Sequence, residues 1–216
     1  VQVGRTGAFW LDIEAFHQLL AACREHGHAP EEVCPQCLPL LTDAVSLYRA
    51  DFLSGFALPD SPGFDDWQFF QGETLRAELA AALARLVQGY ATQDDYAAAI
   101  VYARRWLALD PLHEPAHRWL MQLYAWSDQL AAALRQYVQC AQLLHEELGV
   151  TPAPETEVLH RAIQARRLTP LLRRQQQQTP GATTPSSTMQ APADEIRVIT
   201  AMSVGLAEAM PAWDAD

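Results

Sequence analysis

Apolar positions recur at helical spacing along most of the chain. Ile13, Phe16, Leu19, Leu20 and Cys23 fall on one face of a helix, which predicts a first element there. Asp12 stands in front of that run as an N-cap, and Gly27 reads as its stop. Residues 28–37 are a polar loop containing proline. Leu40, Leu41, Ala44, Val45 and Tyr48 form the next helical stripe, with Pro39 in its first turn, where a missing N–H costs little. The stretch from Asp51 to Gly63 reads as a loop with buried aromatics. An alanine-rich helix is predicted from about Phe64 to Tyr90, with Leu75, Leu79, Leu83 and Leu86 in register.

The second half of the pattern repeats the first. Residues 83–111 and 117–145 superimpose at a shift of 34. Leu86 maps onto Leu120, Tyr90 onto Tyr124, Ala99 onto Ala133 and Ala103 onto Tyr137. Thirty-four residues is the tetratricopeptide period, in which each repeat is a pair of antiparallel helices. The small residue at 99 and 133 lets paired helices approach, and Pro111 falls after the second helix of a pair. Gly149 reads as a C-cap, and a shorter helix is predicted from Pro154 to about Arg167. The fold class that follows is all-α, a tetratricopeptide-like solenoid of helical hairpins.

Short strand remnants are expected at the two ends. The Gly4-Arg5-Thr6-Gly7 punctuation before Ala8-Phe-Trp-Leu reads as the end of a β-hairpin. Residues 195–204 look like one strand, and a lone strand is not stable. Between helices and strand, residues 169–192 combine a glutamine run with Thr, Ser and Pro. That composition buries too little to order itself and reads as a disordered linker.

Charge narrows the function. The 216 residues carry a net charge of −11, and all 15 basic residues are arginine. Chemistry that needs lysine, such as a Walker-A phosphate site or a Schiff base, is excluded. Residues 1–168 hold 12 arginines against 21 acids, and no segment is a basic footprint for nucleic acid. Four cysteines are too few for a disulfide scaffold. No apolar run reaches membrane-spanning length, and the start lacks the features of a signal peptide. The expected setting is cytoplasmic and reducing. The absence of an initiator Met suggests a piece of a longer protein.

Three segments carry a family resemblance. They are Leu47-Tyr-Arg-Ala-Asp-Phe-Leu-Ser-Gly-Phe, Trp106-Leu-Ala-Leu-Asp-Pro-Leu-His-Glu-Pro-Ala-His and Leu143-Leu-His-Glu-Glu-Leu-Gly-Val-Thr-Pro-Ala-Pro-Glu-Thr. Together they resemble the bacterial transcriptional activator domain of the Streptomyces antibiotic regulatory protein family. The resemblance implies an all-helical, tetratricopeptide-like module following a winged-helix DNA-binding domain. It implies protein contacts and self-association through the helical repeats, with DNA contacted only by the winged helix, and no membrane role. Residues 1–11 would be the end of that winged helix, 12–168 the activator domain, 169–192 the linker and 193–216 the start of a further domain. The strand at 196–204 weakly resembles the opening strand of a class III nucleotide cyclase, with Gly205 where those enzymes carry a metal-binding Asp.

Several motifs invite chemistry. His113-Glu-Pro-Ala-His117 matches the H-E-x-x-H zinc protease pattern, and Glu146 is a third ligand by spacing. Pro115, however, belongs in a first turn, so a capped helix start is the simpler reading. Cys34-Pro-Gln-Cys37 resembles a redox pair, yet no βαβ unit precedes it. Its plainest reading is two half-buried thiols at a helix start. The alternative is a closed structural zinc site in which His26 and His28 join Cys34 and Cys37. Trp67, Trp106, Trp119 and Trp126 read as core, with an exposed pair as a possible partner groove. Cys23 and Cys140 sit on apolar stripes. Arg104-Arg105 and Arg166-Arg167 read as solvated faces. No catalytic residue, no cofactor site and no firm metal centre emerges. The function expected is a non-catalytic interaction and oligomerisation module of a transcriptional regulator. The alternatives are a regulatory segment of a multidomain signalling enzyme and a generic tetratricopeptide scaffold.

Overall fold

The computed structural model describes residues 11–28 and 33–168. Among them the chain forms seven helices and no strand: α1 (Asp12–Arg24), α2 (Cys37–Leu47), α3 (Pro62–Thr92), α4 (Tyr96–Leu109), α5 (Glu114–Trp126), α6 (Leu130–Leu148) and α7 (Pro154–Gln164). The strands expected at 3–11 and 196–204, the linker at 169–192 and the terminal segments lie outside the described residues, apart from Leu11, which is not in a strand.

The 34-residue shift holds in the backbone. Helices α3 and α5 end at Thr92 and Trp126, and α4 and α6 begin at Tyr96 and Leu130. The two connecting turns are built alike. Asp94 (φ 57°) and Asp128 (φ 58°) both occupy the left-handed region, which Asp tolerates better than most residues. The amides that follow reach back to the same tyrosine, with Asp95 N–H bonding Tyr90 O at 3.0 Å and Gln129 N–H bonding Tyr124 O at 2.8 Å. Helix α3 packs on α4, α4 on α5, and α5 on α6, with α7 resting against α5 and α6. Ala99, Ala103 and Ala133 are fully buried, consistent with close helix approach.

One core of Leu79, Leu83, Leu86, Leu120, Met121 and Leu123 joins the repeats, and Leu38, Leu41 and Val45 connect α2 to it. Phe16, Ala44 and Leu75 form a smaller cluster that seats α1. Each large aliphatic side chain buried this way contributes about 1.5–3 kcal/mol of transfer free energy. Gly89 marks the tightest approach. A Cβ there would lie 2.6 Å from Leu38 Cδ2 and 2.9 Å from Val33 Cγ1, so the α1–α2 connection presses directly onto α3.

Some sequence expectations shift. Asp12 is the first helical residue rather than the cap. Leu11 holds the N-cap position, and the Asp12 carboxylate accepts only from the neighbouring Ile13 N–H. Helix α1 ends at Arg24, before Gly27, which takes φ 74° in the following turn. Helix α3 starts at Pro62, using the proline in its first turn. The loop before it does not bury its aromatics: Phe52 is half-buried and Phe56 is half-exposed. Gly149 does cap α6, at φ 68° with its N–H on His145 O. Helix α7 stops at Gln164 rather than Arg167, because Arg166 turns left-handed at φ 53°.

Candidate functional site

Two surfaces and one buried network concentrate the side chains with chemical character. The first surface surrounds the N-terminal half of α3. Phe56, Trp67, Phe69 and Phe70 are 51%, 48%, 63% and 66% exposed, and Leu53 and Leu58 flank them. Phe52 and Phe64 each place their ring about 5.5 Å from Trp67, and Phe56 meets Phe64 at 5.6 Å. Single exposed apolar residues are ordinary, but a contiguous aromatic group is characteristic of contact surfaces. Beside it lies a shallow groove lined by Asp51, Asp65, Gln68, Phe69, Glu73 and Arg76. Arg76 bridges Asp51 at 2.9 Å and Glu73 at 3.7 Å. The guanidinium holds the Asp51 carboxyl below the usual carboxylate range. The rim is acidic. Of the four tryptophans read as core, only Trp106 is buried; Trp119 and Trp126 are half-buried.

The second site lies in the α1–α2 connection. His26, His28, Cys34 and Cys37 bring one ligand atom each to within 4.8 Å of one another. Cys37 Sγ lies 3.1 Å from His26 Nδ1, 3.0 Å from His28 Nε2 and 3.5 Å from Cys34 Sγ. Cys34 Sγ is 3.4 Å from His26 Nδ1. The imidazoles meet edge to face at 6.1 Å. Burial grades across the cluster, from exposed His26 to fully buried Cys37. Burial pushes the Cys34 thiol up, but hydrogen bonds with His26, Cys37 and the backbone outweigh it and bring it down to about 6. Burial and the neighbouring thiols push Cys37 up to about 12. Helix α1 precedes the pair, so the strand that a thioredoxin-type motif needs is not there.

The H-E-x-x-H residues are spent on structure. His117 is 1% exposed; its Nε2–H donates to Pro111 O at 2.9 Å, and its Nδ1 accepts from Gln136 Nε2 at 2.8 Å. That pairing fixes a neutral imidazole, and burial lowers its pKa. His113 sits at the N-cap position of α5, its ring 5.0 Å from Trp106. The Glu114 carboxylate accepts from Ala153 N–H at 2.9 Å and from Thr156 Oγ1–H at 2.6 Å. Pro115 lies in the first turn of α5, as its sequence position predicts. Cys23 and Cys140 are fully buried.

Sequence reasoning misplaced Arg105, whereas Arg104 is exposed as expected. Arg105 Nη2 donates to Val45 O at 2.7 Å and Tyr48 O at 2.6 Å, closing the C-terminal end of α2. Arg104 donates through Nε and Nη2 to Tyr124 Oη. Last-turn carbonyls lack helical partners, so a cation that reaches them satisfies both hydrogen bonding and the helix dipole. Only the three-dimensional approach of α4 to α2 reveals this, and nothing local in Arg104-Arg105 signals it. Arg166 and Arg167 are exposed, as expected.

The fold is thus an all-helical hairpin repeat whose motif residues tie helices together. Residues 11–164 match the family model of the bacterial transcriptional activator domain, and the chain belongs to that family. This is a regulatory domain of transcriptional activators rather than a catalytic one. No curated protein and no solved structure matches the chain significantly. Among the described residues, no helix is long and apolar enough to cross a membrane.

Proposed function

We propose that residues 11–164 are the non-catalytic protein-interaction and self-association module of a cytoplasmic bacterial transcription regulator. It works beside a winged-helix domain that contacts DNA. The exposed aromatic face of α3 carries this reading. Water-facing Phe69 and Phe70 lose little on mutation if solvated and much if they anchor a partner. Asp65, Asp66 and Glu73 stand on the same helix half. A partner surface that fits combines apolar side chains with basic residues at its edge. A second copy brings the same acidic rim, so self-association through this face strengthens as salt screens the repulsion.

The test is sedimentation velocity of the parent regulator at low and high salt, with promoter activation measured in parallel. The pair Phe69→Asp and Phe70→Asp should abolish association and lower activation at unchanged helical content. A regulator that stays monomeric at every salt concentration, and activates equally well with both substitutions, overturns the proposal.

A further inference from the structure

We propose that His26, His28, Cys34 and Cys37 form a closed structural zinc site that fastens the α1–α2 connection to the helical core. This goes beyond the interaction reading and does not depend on it.

The donor set comes first. Two thiols and two imidazoles are the Cys₂His₂ combination that tetrahedral zinc takes in structural sites. Zinc binds these as thiolates and neutral imidazoles. Two thiolates cancel the charge of the ion, so the complete site is neutral. That lowers the cost of placing a ligand as buried as Cys37 there.

The geometry agrees. Zinc bonds of about 2.3 Å to sulfur and about 2.05 Å to nitrogen set tetrahedron edges of about 3.8 Å for S–S and about 3.6 Å for S–N. Four of the six edges are 3.5 Å for S–S and 3.0, 3.1 and 3.4 Å for S–N, and all six lie within 4.8 Å. The four short edges open by about 0.2–0.6 Å around the ion and the remaining pairs draw in from within 4.8 Å, adjustments that side-chain rotations supply. Both His nitrogens and Cys34 Sγ converge on Cys37 Sγ at the first residue of α2. Four protein donors leave no open coordination position, so the ion is a strut and not a catalyst.

The position gives the ion a task. The connection runs twelve residues, from Glu25 to Gln36, between the end of α1 and the start of α2. Ordering a connection of that length costs conformational entropy, which a metal cross-link offsets. One cation joins its two ends, next to Val33 and Leu38, which fill the space above Gly89 of α3.

The experiment uses the whole chain, purified under reducing conditions. Metal content is measured by atomic absorption, and the metal-stripped protein is titrated with cobalt, followed by its visible spectrum. One zinc per chain is expected. Cobalt should give the intense tetrahedral bands and the thiolate charge-transfer band of an S₂N₂ site. Cys34→Ser and His28→Ala should each weaken zinc binding at least roughly 100-fold, since even outer-shell losses cost 10–100-fold. Cys140→Ala, far along the repeats, should leave it unchanged. Circular dichroism separates ligand loss from unfolding, and the exposed ligand variant His26→Gln repeats the test with the least burden on the core. A reduced, folded chain that takes up neither metal overturns the proposal, as does one whose cobalt spectrum survives both ligand substitutions.

Discussion

Glu114 looks like a general base in the sequence and acts as a clamp in the structure. Its carboxylate spans 39 residues of chain to accept from Ala153 N–H, at 2.9 and 3.2 Å, and from Thr156 Oγ1–H at 2.6 Å. Ala153 is the N-cap residue of α7 and its side chain caps nothing, so Glu114 supplies the acceptor from outside. A negative charge there also meets the positive end of the α7 dipole. In Glu114→Ala, Thr156 is fully buried and its hydroxyl proton loses its acceptor. An orphaned buried donor costs about 1–3 kcal/mol, and the half-buried Ala153 N–H adds roughly 0.5–1 kcal/mol, because water can reach it in part. The expected loss is about 2–3 kcal/mol, or roughly 5–10 °C in Tm for a domain of this size. Glu114→Gln keeps one acceptor oxygen and should lose about 1 kcal/mol. A double-mutant cycle with Thr156→Val should return about 1–2 kcal/mol of coupling. Urea unfolding followed by circular dichroism reads all three. A Glu114→Ala protein within about 0.5 kcal/mol of the parent refutes the clamp.

Burial depresses the pKa of His117 from an ordinary value of 6.5, while Pro111 O, Glu114 and Asp110 oppose the shift. The unfolded chain therefore binds more protons as pH drops below about 6.5, so stability present above that pH is lost as pH falls through the folded pKa. Tm should drop between pH 7.5 and 5.5, and more steeply in the parent than in His117→Gln; equal slopes would remove His117 from the account. His113 is shifted in the same direction, so only the difference between the two proteins isolates His117. Asp128 holds φ 58° on an exposed turn. Asp128→Gly should raise stability by about 0.5 kcal/mol and Asp128→Val should lower it by about 1–2 kcal/mol. The gain should be smaller for Asp94→Gly, because the Asp94 carboxylate also holds the Tyr96 hydroxyl.

The repeat was legible because its period is set by local geometry. Two helices and a turn of fixed shape need the same residues at the same spacing, so Tyr90 and Tyr124 or Ala99 and Ala133 announce it without knowledge of the fold. Gly149 and Pro115 were legible for the same reason, since left-handed caps and first turns are local. Arg105 and Glu114 were not. Their partners lie about 60 and 40 residues away along the chain, and only packing brings them together. Trp67 shows the opposite failure: its helical position reads as core, and its ring is 48% exposed. The His–Cys cluster was legible as a set because all four donors fall within twelve residues. Their convergence on Cys37 is the structure's addition.

Among the described residues, substantial contacts join only helices that are neighbours or next neighbours along the chain. Such a molecule need not behave as one cooperative block. Its α1–α2 end and its α7 end communicate only through the helices between them. Local opening at one end thus leaves the hydrogen bonds at the other protected. Stripping zinc from the proposed His–Cys site should raise hydrogen exchange in α1 and α2 while α5 and α6 stay slow, and breaking the Glu114 clamp should do the reverse, loosening α7 first. A regulator built this way can exchange or remodel one end during partner contact without unfolding the other.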